Sequence, residues 1–186
     1  LKFQEGYVAI QANNKGVKAD IKIWVDVFRP VVHIDINSNK PMSTEAGYES
    51  WRYQDRLNTG RSNFGNSYKW APQGKIYTYK DTIDFREQAV QFYHRNREDV
   101  RNIFDVTVHQ QGLDSVKSQL YDPLSHLIFG GAMQGNNMQP AGTYTGTYLD
   151  TDFKGWKLKT KKAVRNQTIT LQLHTAQTTS FDEWQN

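Results

Sequence analysis

The chain has 186 residues and 21.6 kDa, a length suited to one domain spanning 1–186 and too short for a multi-domain enzyme. It has no Cys, which excludes disulfides, thiolate metal sites and cysteine nucleophiles. Its charge, 23 Lys+Arg against 19 Asp+Glu for a net +4, is interspersed and excludes a polyelectrolyte, while a mean hydropathy of −0.76 leaves no apolar run near the ~20 residues of a spanning helix.

Aromatics make up 13% of the chain, a composition that fits strands better than helices. Phe3 to Ala12 reads as a first strand and Asn13-Asn14-Lys15-Gly16 as a hairpin turn. From Val17 to Phe28 the alternation is regular, with Val17, Ala19, Ile21, Ile23, Val25 and Val27 on one face and Lys18, Asp20, Lys22, Trp24 and Asp26 on the other. Arg29-Pro30 interrupts the pattern. Val31 to Asn37 resumes it, and Asn39-Lys40-Pro41 turns the chain into Ser43 to Tyr53.

Leu57 to Gln73, rich in Asn, Ser and Gly with Phe64, Tyr68 and Trp70 among them, reads as a long functional loop. Ala89 to His94 is predicted as a buried strand, Arg97 to Phe104 as a helical turn and Val106 to Gln110 as a strand closed by Gly112. Asp114 is placed as the N-cap of a short helix over Ser115 to Tyr121. Beyond Phe129, glycines separate short β-segments, ending in a strand over Thr168 to His174. The expected class is all-β, an antiparallel β-sandwich with one or two short helices.

Catalytic constellations are sparse. Hydrolysis of a glycosidic bond needs two carboxyl groups about 5 to 9.5 Å apart. Glu45 and Glu49 on one strand are roughly 13 Å apart, whereas Asp150 and Asp152, roughly 7 Å apart, stay within range but also read as a turn pair. His33, His94, His109, His126 and His174 form no local chelate, so no metal is expected. No phosphate-binding glycine loop and no G-x-S-x-G elbow occur, and no cofactor is expected. The lysines between Lys154 and Lys162, with Arg165, read as a solvated strand face, so neither nucleic acid nor a membrane span is anticipated.

Phe92-Tyr93-His94-Arg95-Asn96 gathers a ring, an imidazole, a guanidinium and an amide at a strand end, where scaffolds present binding sites; the alternative is a network that anchors loops. Trp51, Trp70 and Trp156 are candidate stacking platforms for sugar rings, or core residues.

Several strings, read together, carry a resemblance: WVDVFRPVVHIDINSNKPMSTEAGYESWR from Trp24, FYHRN from Phe92, DVTVHQQGLDS from Asp105, DPLSHLIFGGAMQG from Asp122, GTYLDTDFKGWKLKTK from Gly146 and LHTAQT from Leu173. They resemble the N-terminal β-sandwich domain of large secreted bacterial proteins similar to α-L-fucosidase-like glycoside hydrolases. The resemblance implies a supersandwich related to galactose-mutarotase-like folds. It also implies a separate C-terminal (α/α)6-barrel partner that holds the catalytic carboxylates, so no catalytic residue is assigned to this chain. The expected role is a noncatalytic module that packs on that barrel, borders its cleft, and is secreted or periplasmic. Tyr93, His94, Arg95, Asn96, Phe129, Gly130, Gly131 and Trp156 are the residues expected at the binding or interface rim. The alternative is a stand-alone carbohydrate-binding module that holds an oligosaccharide on exposed Tyr and Trp.

Overall fold

The computed structural model describes residues 1–59 and 75–185. The chain separates into two compact units. The first comprises 1–53, 82–93 and 130–174, and the second 54–81, 94–129 and 175–186.

In the first unit the alternating segments become strands where their periodicity requires it. β1 (Tyr7–Asn14) and β2 (Val17–Val25) form a hairpin closed by Lys15 and Gly16, both at positive φ, 48° and 79°. That pair is the turn whose twist matches the flanking strands, and glycine supplies its second position without steric cost. β3 (Val31–Met42) and β4 (Glu45–Ser50) follow, then β7 (Thr82–Arg86) and β8 (Ala89–Arg95). The later strands are β9 (Leu127–Gly135), β10 (Met138–Tyr148), β11 (Thr151–Thr160) and β12 (Val164–Gln177). They are longer than the short β-segments anticipated there.

A seven-stranded sheet has the order β1-β2-β3-β12-β9-β8-β7, and a three-stranded sheet the order β10-β11-β4. The two sheets bury one core. The larger contributes Ile36, Val90, Phe92, Met133 and Ile169, and the smaller adds Met138, Trp156 and Leu158. Phe92 and Tyr48 stack across this core with ring centroids 4.0 Å apart. The arrangement is an antiparallel β-sandwich, as the alternation predicts.

The second unit contains the two-residue strands β5 (Arg56–Leu57) and β6 (Tyr77–Thr78), α1 (Ile103–Gln110), a 3-10 helix over Asp114–Gln119 and α2 (Phe181–Gln185). The strand expected over Val106 to Gln110 is helical instead, and of the helical turn expected over Arg97 to Phe104 only Ile103 and Phe104 are helical, as the first residues of α1. Two local devices override the apolar alternation of Val106 and Val108. At the start, Asn102 accepts from the Asp105 N–H while the Asp105 carboxylate accepts from the Asn102 N–H, a reciprocal capping box. At the end, Gly112 at φ 68° lets its own N–H reach His109 O and the Leu113 N–H reach Val108 O, each at 3.0 Å, which is the Schellman closure. Asp114 starts the 3-10 helix without capping it, because its carboxylate accepts from His109 Nδ1 at 2.9 Å.

The long loop expected over Leu57 to Gln73, with Phe64, Tyr68 and Trp70, lies outside the described residues apart from 57–59. Among the described residues no helix is long and apolar enough to cross a membrane.

Candidate functional site

The FYHRN segment is fastened along its length. Phe92 is in the sandwich core and Tyr93 is half-buried opposite Thr82 in the first unit. The next three residues belong to the second unit. His94 is buried, its Nδ1–H donating to Asp81 Oδ1 at 3.0 Å and its ring 5.2 Å from that of Phe129. Arg95 donates to Thr179 O at 3.0 Å. Asn96 uses both ends, its backbone N–H on Leu127 O and its side chain on Leu124 O, each at 2.9 Å. These bonds tie down loop backbone in the way the loop-anchoring alternative requires.

Gly130 and Gly131 have a steric explanation. A Cβ on Gly130 would sit 2.2 Å from Phe92 O, and one on Gly131 only 1.9 Å from Gln172 O. Both obstacles are backbone in neighbouring strands, so only glycine permits that approach. Trp156 is 7% exposed in the core; its ring is packing material, with Lys154 Nζ 5.2 Å from it. Asp150 lies in the β10–β11 turn, with Thr151 Oγ1 3.4 Å from its Oδ1, and Asp152 lies in β11 opposite Thr147, whose Oγ1 is 2.8 Å from its Oδ1. Among the described residues no three His, Asp or Glu side chains converge to hold a metal ion.

A different constellation occupies the outer face of the three-stranded sheet. The register sets Tyr144 opposite Gly155, Gly155 opposite Glu49, Lys157 opposite Gly47 and Gly146 opposite Phe153. Three glycines on adjacent strands thus leave a trough without side chains, and rings lie in it. A Cβ on Gly155 would fall 2.3 Å from Tyr144 Cζ, one on Gly47 2.2 Å from its hydroxyl, and one on Gly146 2.5 Å from Phe153 Cζ. Covering strand glycines with a neighbouring ring restores the packing that glycine omits.

From this floor a chain of rings runs outward. Tyr144 meets Phe153 edge-on at 6.1 Å, Phe153 meets Tyr148 at 5.2 Å, and Tyr148 meets Trp51 edge-on at 6.2 Å. Phe153 is buried, whereas Trp51 and Tyr148 are 52% and 57% exposed. Polar groups border the rings. The Tyr144 hydroxyl donates to Glu49 Oε1 at 2.6 Å, and burial, with the Glu49 carboxylate beside it, pushes the Tyr144 phenol up to about 12. Lys157 Nζ lies 5.5 Å from the Tyr144 ring and 3.0 Å from Glu45 Oε2, while Lys159 Nζ lies 3.2 Å from Glu45 Oε1. The two ammonium groups hold the Glu45 carboxyl below its ordinary value.

Of the candidate platforms, Trp51 alone is both described and exposed. The sequence singles out none of Tyr144, Tyr148 and Phe153, and it brings in Glu49 only as half of a carboxylate pair too widely spaced for hydrolysis. Its available signal was glycine inside three strands next to Tyr or Phe, at Gly47-Tyr48, Tyr144-Thr145-Gly146 and Phe153-Lys154-Gly155, since strand glycine marks close approach.

Residues 1–186, the full chain, match the N-terminal family described as Domain of unknown function (DUF5703). The chain belongs to that family. No curated protein matches it.

Proposed function

We propose that this chain is a noncatalytic β-sandwich module of an exported glycoside hydrolase-like, carbohydrate-active protein, and that it holds an oligosaccharide on the outer face of its three-stranded sheet. The supporting observation is the strip formed by Trp51, Tyr148 and Tyr144 next to a carboxylate. Two of these rings are solvent-exposed, and the glycine floor fixes the third. Sugar rings offer an apolar C–H face with hydroxyls around it. An amphipathic ring stacks on that face, while a carboxylate accepts from the hydroxyls. Glu49 Oε1 is engaged by Tyr144, and Oε2 has no partner among the described residues.

Affinity electrophoresis through gels containing plant or host glycans tests this. The chain is expected to be retarded by at least one glycan, with Trp51→Ala and Tyr148→Ala each weakening binding about tenfold at unchanged fold. Absence of retardation on every glycan, or retardation unchanged in the Trp51→Ala/Tyr148→Ala pair, overturns the assignment.

Packing against a separate (α/α)6-barrel catalytic domain is a second reading. It draws support from Tyr121, Leu120, Leu113 and Phe129 of the second unit, which stay exposed although they are large and apolar.

A further inference from the structure

The outer face of the seven-stranded sheet has a different chemistry and carries a cleft of about 480 Å³. Its walls are the β7–β8 turn with Arg86 and Glu87, the end of β9 with Gln134 and Asn136, and Thr168 and Thr170 of β12. The two threonines pair with Asp35 and His33 of β3, on the side of β12 opposite the buried Ile169. No large apolar side chain lines the cleft, so it offers an apolar ligand little.

One part of the lining is fixed and another is uncommitted. Asn136 Oδ1 accepts from the Thr168 N–H and from Gln167 Nε2, each at 2.8 Å, which leaves its Nδ2 to donate elsewhere. The Thr168 hydroxyl lies 3.2 Å from Asp35 Oδ1, and Lys161 Nζ donates to Gln88 Oε1 at 2.8 Å at the edge of the cleft. In contrast, the side chains of Arg86, Glu87, Gln134 and Thr170 make no hydrogen bond or ion pair with any described residue. Glu87 itself sits at φ 52°, the left-handed conformation that this two-residue turn requires.

A guanidinium with five donors and no carboxylate partner among the described residues is suited to a bidentate carboxylate. Amides and hydroxyls within the same cleft suit a ligand that also carries several hydroxyls. Among charged groups on the lining or touching it, Arg86 and Lys161 are cations and Glu87 and Asp35 anions, so the guanidinium itself, and not a net positive charge, is what a carboxylate would meet. We infer that this cleft binds a polyhydroxylated carboxylate, a hexuronate, with its carboxylate on Arg86 and its hydroxyls on Asn136, Gln134 and Thr170. The inference uses the cleft's own chemistry and does not depend on the aromatic face of the other sheet.

The test is an amide chemical-shift titration of the 186-residue chain with sodium glucuronate, glucose and sodium acetate at constant ionic strength. Glucuronate is expected to shift the amides of Gln134, Asn136, Thr168 and Thr170 saturably, with a Kd of about 1 mM. Glucose lacks the carboxylate and acetate lacks the hydroxyls, so each is expected to bind at least about tenfold more weakly. Arg86→Gln should remove the glucuronate preference and leave the rest of the spectrum in place, since Arg86 is exposed and makes no ion pair with any described residue. Absence of shifts, equal shifts from all three probes, or a glucuronate preference that survives Arg86→Gln overturns the assignment. Shifts confined to Tyr144, Tyr148 and Trp51 would support the aromatic face and still overturn the cleft.

Discussion

The two outer faces of the sandwich are built from the same antiparallel pairing and differ in what fills it. On the three-stranded sheet, Gly47, Gly146 and Gly155 leave the backbone bare, and Tyr144 and Phe153 cover it. On the seven-stranded sheet, Lys22, Asp35 and Thr168 lie side by side in register, as do Trp24, His33 and Thr170. Trp24 there is half-buried and has partners at its ring and its nitrogen. Its ring stacks on His33 at 4.0 Å, its Nε1–H donates to Asp35 Oδ2 at 2.8 Å, and Lys22 Nζ lies 5.6 Å away. An indole held by these contacts serves packing, whereas Trp51 at the edge of the other face is 52% exposed. The place of an aromatic residue in the sheet register, more than its identity, therefore separates a partnered ring from an exposed one.

Substitution of glycine separates the two kinds of close approach. The largest effect is expected for Gly131→Ala, whose new Cβ would lie 1.9 Å from Gln172 O. Backbone in a paired strand has nowhere to move, so a loss of about 3 kcal/mol or more and a Tm lower by about 10 °C are expected, measured by thermal denaturation. Stability within 1 kcal/mol of the parent would show that the strands separate readily there. Gly155→Ala meets a ring instead, 2.3 Å from Tyr144 Cζ, and a side chain can tilt away. The expected loss is about 1 to 2 kcal/mol, accompanied by weaker glycan retention as Tyr144 lifts off its floor. Unchanged retention would detach the glycine trough from binding.

The smallest effect on stability, within about 0.5 kcal/mol, is expected for Glu49→Gln, and its readout is electrostatic. Burial and then Glu49 raise the Tyr144 phenol to about 12. Because the folded value lies above the ordinary 10, the neutral phenol's contribution to stability is complete below pH 10 and is lost as the pH rises toward about 12. Removing the carboxylate charge should bring the phenol back toward 10, seen as an earlier phenolate absorbance step in an ultraviolet titration. A titration curve superimposable on the parent's would assign the shift to burial alone.

The sandwich was legible where side chains alternate. The alternation over Val17 to Phe28 announces a strand, which forms over Val17–Val25 and leaves Val25, Val27 and Phe28 exposed, and Ala89 to His94 is a strand as expected, with Val90, Phe92 and His94 on its buried face. The same signal misled at Val106 and Val108. There a capping box at Asn102 and Asp105 and a Schellman glycine at 112 outweighed a two-residue alternation, since both ends of a helix were satisfied locally. The FYHRN segment was legible as a polar cluster at a strand end, but the fate of each group depended on partners such as Asp81, Leu124 and Thr179, distant in sequence.

The amino-acid sequence by itself determined the β class, the first hairpin and the absence of thiol chemistry, because those follow from period, turn chemistry and composition within a few neighbouring residues. Only the tertiary structure decided which aromatic residues are enclosed and which stand in solvent. That outcome depends on strand register, which sets Tyr144 over Gly155 and Gly47, and on sheet packing, which encloses Trp156 and leaves Trp51 in solvent.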